Sequence, residues 1–329
     1  MSIEGVHLLE HLQTPAMMVS RGQVRFANTA AKALLGAHIV GQDVRIAIRD
    51  PRAVAAILSD NGGSARVKGL STGGSMWEVD CKVAGPNERI VSLYDLSERV
   101  SVAKSHADFV ANASHELRTP LANVIGYCET LMNPKAGGDE ALRTRFLGTI
   151  RHEAQRMQAL ISDLMSLSRI EAVKHEAPSE SIDMVALAHE VAGEFRGGAP
   201  VTVRANCAEA VIAGDRGQMS QVLRNLIDNS RKYARPDGPV EVSVEAASTG
   251  WVLATVRDEG EGIKPEHLPR VTERFYRADT SRSRAAGGTG LGLSIVKHIV
   301  ERHRGRFDIE SRPGVGTTAS LMLPLKAVD

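Results

Sequence analysis

The stretch FVANASHELRTPL, residues 109–121, sets the organisation of this chain. If it is helical, at about 100° per residue, the apolar residues in and around it collect on one side and His115 points roughly opposite. Glu116 follows directly, and Thr119 lies one turn on, on the face of His115. The pattern therefore predicts an exposed imidazole beside a carboxylate and a hydroxyl, with Pro120 kinking the helix just beyond them. Because an exposed helical histidine is commonly only a surface residue, its role depends on what lies downstream.

Composition narrows the class of protein. The 329 residues carry 40 Lys+Arg and 39 Asp+Glu, a net charge of +1, so no large single-sign field indicates nucleic acid as a partner. Three dispersed cysteines without a CxxC pair disfavour a disulfide framework or a zinc site and favour a reducing compartment. No apolar run reaches the roughly 18 residues that span a bilayer, and the N-terminus lacks the features of a signal peptide. We therefore expect a soluble, cytoplasmic chain of two or three domains, which can still attach to a membrane partner.

The first 97 residues show a mixed α/β pattern. QVRFAN (23–28) alternates like a strand, and TAAKALLG (29–36) is typical of a short helix closed by glycine. SMWEVDCKVAG (75–85) and RIVSLYDLS (89–97) are two later strands separated by a turn. The pattern predicts a small α/β domain. Two roles are open for it, a ligand-binding sensor and a dimerisation module without a ligand.

Residues 98–178 are predicted to form an antiparallel helical hairpin. A first helix runs from about Val100 to Met132, and a second runs from the N-cap Asp139 to about Val173. A lone hairpin cannot shield its apolar stripe, so we expect a second copy of the chain to complete a four-helix bundle. The chain is thus predicted to be a homodimer with His115 on the outer surface of the bundle.

Residues 179–329 interleave helices with alternating strands and glycine-rich loops. This order predicts an α/β sandwich, in which a mixed sheet carries helices on one face. The predicted fold class of the whole chain is therefore multidomain α+β.

A polar stripe follows one predicted helix of this last domain. Asn225, Asp228, Asn229 and Lys232 share one side of the helix within residues 221–232, away from its apolar side. Asn oxygens suit Mg²⁺, and a lysine can meet phosphate charge. The alternative for this segment is an ordinary amphipathic surface helix.

Two glycine-rich segments supply the rest of a nucleotide site. In DEGEGI (258–263), a strand-end carboxylate can accept a hydrogen bond from the amine of adenine, while the glycines allow close backbone approach. GGTGLGL (287–293) places glycines just before a helix, where free amides favour phosphate. It lacks the Lys-Ser/Thr of a P-loop and does not follow a strand. Between them, residues 277–288 have the composition of a mobile lid or a solvated loop.

Six segments together resemble a known family, the sensor histidine kinases. The matching phrases, in the order of the H, N, G1, F, G2 and G3 boxes, are SHELRTPL (114–121), NLIDNSRKY (225–233), DEGEGI (258–263), ERFYRAD (273–279), GGTGLGL (287–293) and GVGT (314–317). The similarity covers about two thirds of the chain, and its phrases look most like the phosphate-regulon branch. Ser230 stands where the N box usually has alanine. The N-terminal 97 residues resemble a PAS-type sensory domain.

This resemblance implies an ATP-dependent protein-histidine kinase whose last domain shares the gyrase and chaperone ATPase fold and binds Mg²⁺ and ATP. The implied nucleotide-binding residues are Asn225, Asn229, Lys232, Tyr233, Asp258, Gly260, Gly262, Gly288, Thr289, Gly290, Leu291 and Gly292. Asn229 is the implied magnesium ligand. His115 would take the γ-phosphoryl group, Glu116 would act as general base, and Thr119 would position water for dephosphorylating a partner.

The implied partner is the receiver domain of a response regulator, which takes the phosphoryl group on an aspartate. Signal input would come from a membrane protein or a small molecule through the N-terminal domain. Two other functions compete with this one, a non-catalytic ATP-binding dimeric scaffold and an ATP-driven clamp of the gyrase or chaperone kind. The intact motif residues His115, Glu116, Asn229 and Asp258 disfavour the scaffold. A clamp would have no use for an exposed histidine on a dimer hairpin.

Overall fold

The computed structural model describes residues 3–70, 75–173, 176–235, 238–247, 250–278 and 288–326. The chain divides into two compact units, residues 1–110 and 111–329. Within the described ranges, no helix combines the length and apolar character that crossing a lipid bilayer requires.

The first unit is built on one antiparallel sheet of five strands in the order β2-β1-β5-β4-β3. Its elements are α1 (Ile3–Glu10), β1 (Ala16–Ser20), β2 (Gln23–Ala27), α2 (Thr29–Leu35), a 3-10 turn (Ala37–Ile39), α3 (Val44–Ala47), α4 (Pro51–Leu58), β3 (Gly63–Lys68), β4 (Met76–Gly85) and β5 (Glu88–Asp95). The strands and the short helix expected here are present, which confirms the predicted α/β domain.

Alternation along the strands explains the core of this unit. Trp77, Val79 and Cys81 of β4 are buried, and they join Val91 and Leu93 of β5 in one apolar cluster under the short helices. An open cleft of about 580 Å³ borders this cluster and is lined by Gln13, Thr14, Pro15, Trp77, Glu78, Leu93, Tyr94, Asp95 and Leu96.

Asn28 ties the start of the first unit together. Its Oδ1 accepts from the backbone N–H groups of Ala16 and Ala31 at 3.0 and 2.9 Å. Its Nδ2 lies within hydrogen-bond distance of the carbonyl oxygens of Leu9, Leu12 and Thr14, at 2.9–3.2 Å. Because this buried amide uses both its donor and its acceptor sides, it caps α2 and anchors β1 at once.

The predicted hairpin is present as two long helices, α5 (Ser97–Met132) and α7 (Glu140–Ala172). Helix α5 continues through Pro120. Asp139 caps α7 as expected and accepts from the N–H of Leu142 at 3.0 Å. A short helix, α6 (Pro134–Gly138), lies in the connection, because Asn133 accepts from the N–H of Lys135 and Pro134 stands at the first helical position.

The rest of the second unit is an α/β sandwich. Its elements are β6 (Glu180–Asp183), α8 (Met184–Glu194), β7 (Val201–Ala205), β8 (Val211–Gly214), α9 (Arg216–Tyr233), β9 (Val240–Ala247), β10 (Trp251–Asp258), a 3-10 turn (Leu268–Arg270), α10 (Gly292–Arg302), β11 (Arg306–Arg312) and β12 (Gly316–Pro324). The main sheet has the order β11-β12-β10-β9-β7, in which β7 and β9 are parallel and the other pairs antiparallel. Strands β6 and β8 form a separate pair. The predicted mixed sheet is therefore present.

Helices α8, α9 and α10 pack on this sheet and on one another. Every second residue of the central strands is buried, as in Val252, Ala254 and Val256 of β10. Helix α10 also packs on α7, where Leu160 and Leu167 are buried. The ATPase-like sandwich is thus joined to the helical hairpin within one compact unit.

Candidate active site

His115 lies on α5 and is exposed to solvent, as its position on the helix predicts. Thr119 is also exposed, and its hydroxyl donates to the backbone carbonyl of His115 at 3.4 Å. This is a weak bond within the helix, so the hydroxyl can turn toward solvent without loss of a strong partner. The imidazole and the hydroxyl are therefore both accessible from outside the hairpin.

Glu116 points to a different set of neighbours. Its Oε2 accepts from Nη2 of Arg156 on α7 at 3.3 Å and from Nη2 of Arg277 at 3.0 Å. The guanidinium side chains are largely buried, at 12% and 7% exposed, whereas the carboxylate side chain is 25% exposed. A half-buried carboxylate held by two guanidinium groups is a strongly oriented one.

The polar stripe on α9 is present as expected. Asp215 caps the helix by accepting from the N–H of Gln218 at 3.0 Å. On the inner side Val222, Leu223 and Leu226 are buried. On the stripe, Asn225 and Asn229 are half-buried and Lys232 is exposed, with its Nζ 2.6 Å from Oδ2 of Asp228.

Asp258 ends β10 and is only 6% exposed. Its Oδ1 accepts from the N–H groups of Gly260 at 2.9 Å and Thr317 at 3.3 Å. Burial raises the pKa of this carboxyl, and these bonds, with a side-chain bond from Ser230, act in the opposite direction. Ser230, the departure from the usual N box, is thus a direct partner of Asp258.

The glycines of the two loops stand where backbones approach closely. A Cβ at Gly260 would overlap the carbonyl oxygen of Tyr233, the last residue of α9. Gly262 has a φ of +69° and packs against the backbone of Arg312. Gly290 has a φ of +72°, and its Cβ would lie 3.0 Å from the backbone of Phe275. Only glycine fits these positions without strain.

The second glycine loop leads from Gly288 into α10. Thr289 Oγ1 donates to Oδ2 of Asp163 on α7 at 2.7 Å and accepts from the N–H of Leu291 at 3.3 Å. Asn225 Nδ2 donates weakly to the carbonyl of Gly292 at 3.4 Å. The loop, the polar stripe of α9 and helix α7 therefore meet at one place.

The comparisons with known proteins match this architecture. Residues 105–173 match the His Kinase A (phospho-acceptor) domain, and residues 214–327 match the histidine kinase-, DNA gyrase B-, and HSP90-like ATPases. The phosphate regulon sensor protein PhoR of Pseudomonas aeruginosa is 34% identical over 313 residues, which cover 92% of this chain and 70% of PhoR. The chain belongs to the sensor histidine kinases.

Two further relatives extend the comparison. The sensor protein kinase WalK of Staphylococcus saprophyticus is 36% identical over 244 residues, 73% of this kinase and 40% of WalK. The crystal structure of full-length ShkA in complex with AMPPNP matches with a TM-score of 0.50 and 25% identity, over 67% of this kinase and 46% of ShkA. This kinase therefore spans less than half the length of WalK and ShkA. The predicted family, enzyme class and fold class are confirmed, including the likeness to the phosphate-regulon branch.

The residues at the junction of α9 and α10 fit the nucleotide that such ATPase domains use. Gly292 has no side chain, and a Cβ there would lie 3.8 Å from Cγ of Asn225 and from Nδ2 of Asn229. The missing side chain leaves room between the two amides and the loop that precedes the positive end of α10. Buried Asp258 offers the acceptor that an adenine amine needs.

Sequence reasoning missed three residues of this site in the kinase. Arg156 and Arg277 hold Glu116, and Asp163 holds Thr289. On α7, Arg156 and Asp163 look like ordinary polar residues of an amphipathic helix, and no local signal marks them. The predicted lid, residues 277–288, lies mostly outside the described residues, and only its first two residues and Gly288 are described.

Proposed function

We propose that this kinase transfers the γ-phosphoryl group of ATP to His115 and passes it to an aspartate in the receiver domain of a response regulator. The observation that carries the proposal is the contact of Arg277, in the F-box segment (273–279) of the ATPase domain, with Glu116, the neighbour of exposed His115. The ATPase domain thus reaches the phospho-acceptor helix. The structure of ShkA, a relative in complex with AMPPNP, supports nucleotide binding by this kinase.

The proposed roles follow the chemistry of each side chain. Asn229 would hold Mg²⁺, assisted by Asn225, and Lys232 would meet the phosphates; the metal would neutralise phosphate charge. Asp258 would accept from the adenine amine, next to Tyr233. The loop glycines would let the phosphates approach the start of α10. The proposed loop residues are Gly288, Thr289, Gly290, Leu291 and Gly292.

The proposed chemistry needs His115 as a neutral nucleophile. One ring nitrogen forms the bond to phosphorus while the bond to ADP breaks, and the other nitrogen loses its proton to Glu116 as charge develops on the ring. In this structure Oε2 of Glu116 accepts from Arg156 and Arg277, which orient the carboxylate. Thr119, one turn after His115, would position water for dephosphorylation of the regulator.

We propose a homodimer for the working kinase. Large apolar side chains along the hairpin stay 46–54% exposed in the single chain, and they include Leu121, Ile125, Leu147, Ile161 and Met165. A second copy of the same hairpin would cover them in a four-helix bundle. We further propose three functional modules, residues 1–97 for PAS-type signal input, 98–178 for phosphotransfer and 179–329 for ATP binding.

The test is incubation of the full chain with γ-labelled ATP and Mg²⁺. We expect protein-bound label that is labile in acid and stable in alkali, and its absence in His115→Ala. The matched control is His152→Ala, because His152 is an exposed histidine on the opposite helix of the hairpin. Nucleotide binding without label would instead indicate the non-catalytic scaffold. Label that survives in His115→Ala would reject His115 as the acceptor.

A further inference from the structure

Helix α7 of the hairpin contributes a carboxylate to the loop that is proposed to bind phosphate. Asp163 lies on α7, half-buried, and Thr289 Oγ1 donates to its Oδ2 at 2.7 Å. The two residues are 126 positions apart, so the contact exists only because α10 packs against α7. It links the phosphotransfer hairpin directly to the nucleotide loop.

The hydroxyl of Thr289 has no donor capacity left in this arrangement. A threonine hydroxyl donates one hydrogen bond, and here that bond goes to Asp163. Its acceptor side takes the N–H of Leu291, the residue at the N-cap of α10. A phosphate oxygen can only accept hydrogen bonds, so it can bind this hydroxyl only if Asp163 gives it up.

The charges around the loop also oppose phosphate binding. Asp228 on α9 also lies near Asp163, and its carboxylate holds the ammonium group of Lys232, whose charge also acts on Asp163. Two carboxylates therefore face one ammonium group at the site. Burial raises the pKa of Asp163, and the bond from Thr289 together with the charge of Lys232 opposes that shift. Incoming polyphosphate adds negative charge close to the carboxylates of Asp163 and Asp228.

We propose that Asp163 is a positioning residue that sets the nucleotide affinity of this kinase, because its carboxylate occupies the Thr289 hydroxyl and repels the phosphates. The proposal rests on the proposed function, which assigns Thr289 to the phosphate loop. Coupling between two binding equilibria is reciprocal. If the contact of the loop with α7 lowers nucleotide affinity by some factor, bound nucleotide must weaken that contact by the same factor. Phosphate binding would thereby weaken the contact of the ATPase domain with helix α7 of the hairpin.

The test compares affinities for Mg·ATP and for adenosine, both measured by displacement of a fluorescent nucleotide from the full chain. Asp163→Asn removes the charge but keeps an oxygen that can accept from Thr289. We expect it to lower the dissociation constant of Mg·ATP by about fivefold or more, the usual size of such coupling. Adenosine carries no phosphate, so its affinity should change by less than about twofold.

Glu171→Gln is the matched control. Glu171 also joins α7 to the ATPase domain, through Arg274 and His298, but away from the phosphate loop. Looser packing alone should change the affinities for Mg·ATP and adenosine by the same factor. If Asp163→Asn also changed both alike, or if it weakened Mg·ATP, the proposal would be wrong.

A second variant guards against misfolding. Asp163→Ser also removes the carboxylate, but it introduces no amide. It should tighten Mg·ATP binding in the same way even if the amide of Asp163→Asn disturbs α7. Failure of the wild-type chain to bind Mg·ATP would overturn the proposed function and this inference together. Binding by the wild type that neither variant tightens would overturn this inference alone.

Discussion

Arg277 donates to the carboxylate of Glu116 at 3.0 Å, although the two residues are 161 positions apart. Arg156 donates to the same oxygen from α7. The carboxylate beside His115 is therefore held by one arginine of the hairpin and one of the ATPase domain. The ATPase domain and the phospho-acceptor helix are thus linked through the carboxylate that we propose as the general base.

We expect Glu116→Gln to lower the initial rate of phosphohistidine formation by about 10²–10⁴-fold, the usual contribution of a general base. The amide keeps the shape of the side chain but cannot take the proton from the imidazole. The measurement is acid-labile label per minute from γ-labelled ATP. Glu153→Gln is the control, since Glu153 also pairs with Arg156, at 3.8 Å, but does not adjoin His115. Equal losses in the two variants would mean that the rate depends on the pairing with Arg156 and not on Glu116 as a base.

Thr119→Ala should abolish dephosphorylation of the phosphorylated regulator while autophosphorylation survives. The hydroxyl is exposed one turn beyond His115, and the helix loses only a weak 3.4 Å bond. Thr130→Ala is the matched control, because Thr130 bonds to the carbonyl of Gly126 in the same helix at 2.8 Å. Both activities are measured with labelled protein. Parallel loss of kinase and phosphatase activity in Thr119→Ala would argue against the assignment.

Gly260→Ala should destabilise the ATPase domain by about 1–3 kcal/mol, the usual cost of overpacking, and remove nucleotide binding. The new methyl group would overlap the carbonyl of Tyr233 and lie 2.8 Å from Oδ1 of Asp258. Gly193→Ala in α8 meets nothing within 4 Å and should stabilise by about 0.5–1 kcal/mol, because alanine favours helix. Thermal unfolding and nucleotide titration of both variants decide the matter. Wild-type thermal stability and nucleotide affinity in Gly260→Ala would contradict the close packing of this loop.

His303 should make the ATPase domain lose stability below about pH 6.5. The buried ring donates from Nδ1 to the carbonyl of Ile299 at 2.7 Å and accepts at Nε2 from the N–H of Asp215 at 2.9 Å, so it is neutral. Burial lowers its pKa from the ordinary 6.5, and the charge of Arg302 acts in the same direction. Below pH 6.5 the unfolded chain therefore binds a proton that the folded chain does not, and stability falls by up to about 1.4 kcal/mol per pH unit.

Urea unfolding between pH 5 and 8, followed through Trp251 in a Trp77→Phe background, measures this slope. In His303→Gln the slope below pH 6.5 should be smaller, since the titrating ring is gone. His152→Gln replaces an exposed histidine and should keep the wild-type slope. An unchanged slope in His303→Gln would show that other groups account for the pH dependence.

Local patterns in the sequence determined the helices and strands and the surface position of several candidate site residues. Apolar periodicity predicted both hairpin helices, caps such as Asp139 placed their starts, and alternation predicted the strands of the sandwich. The exposure of His115 and the polar stripe of Asn225 and Asn229 followed from helical geometry alone. These features depend on residues a few positions apart, so the order of the sequence contains them.

Only the tertiary structure decided how the hairpin and the ATPase domain meet. The pairing of Glu116 with Arg277 and of Asp163 with Thr289 joins residues 161 and 126 positions apart. Such contacts depend on the packing of α10 against α7, a helix in which Leu160 and Leu167 are buried. Hydrophobic burial is non-directional and joins residues that are far apart in the sequence. No short-range pattern therefore predicts which charged side chains it brings together.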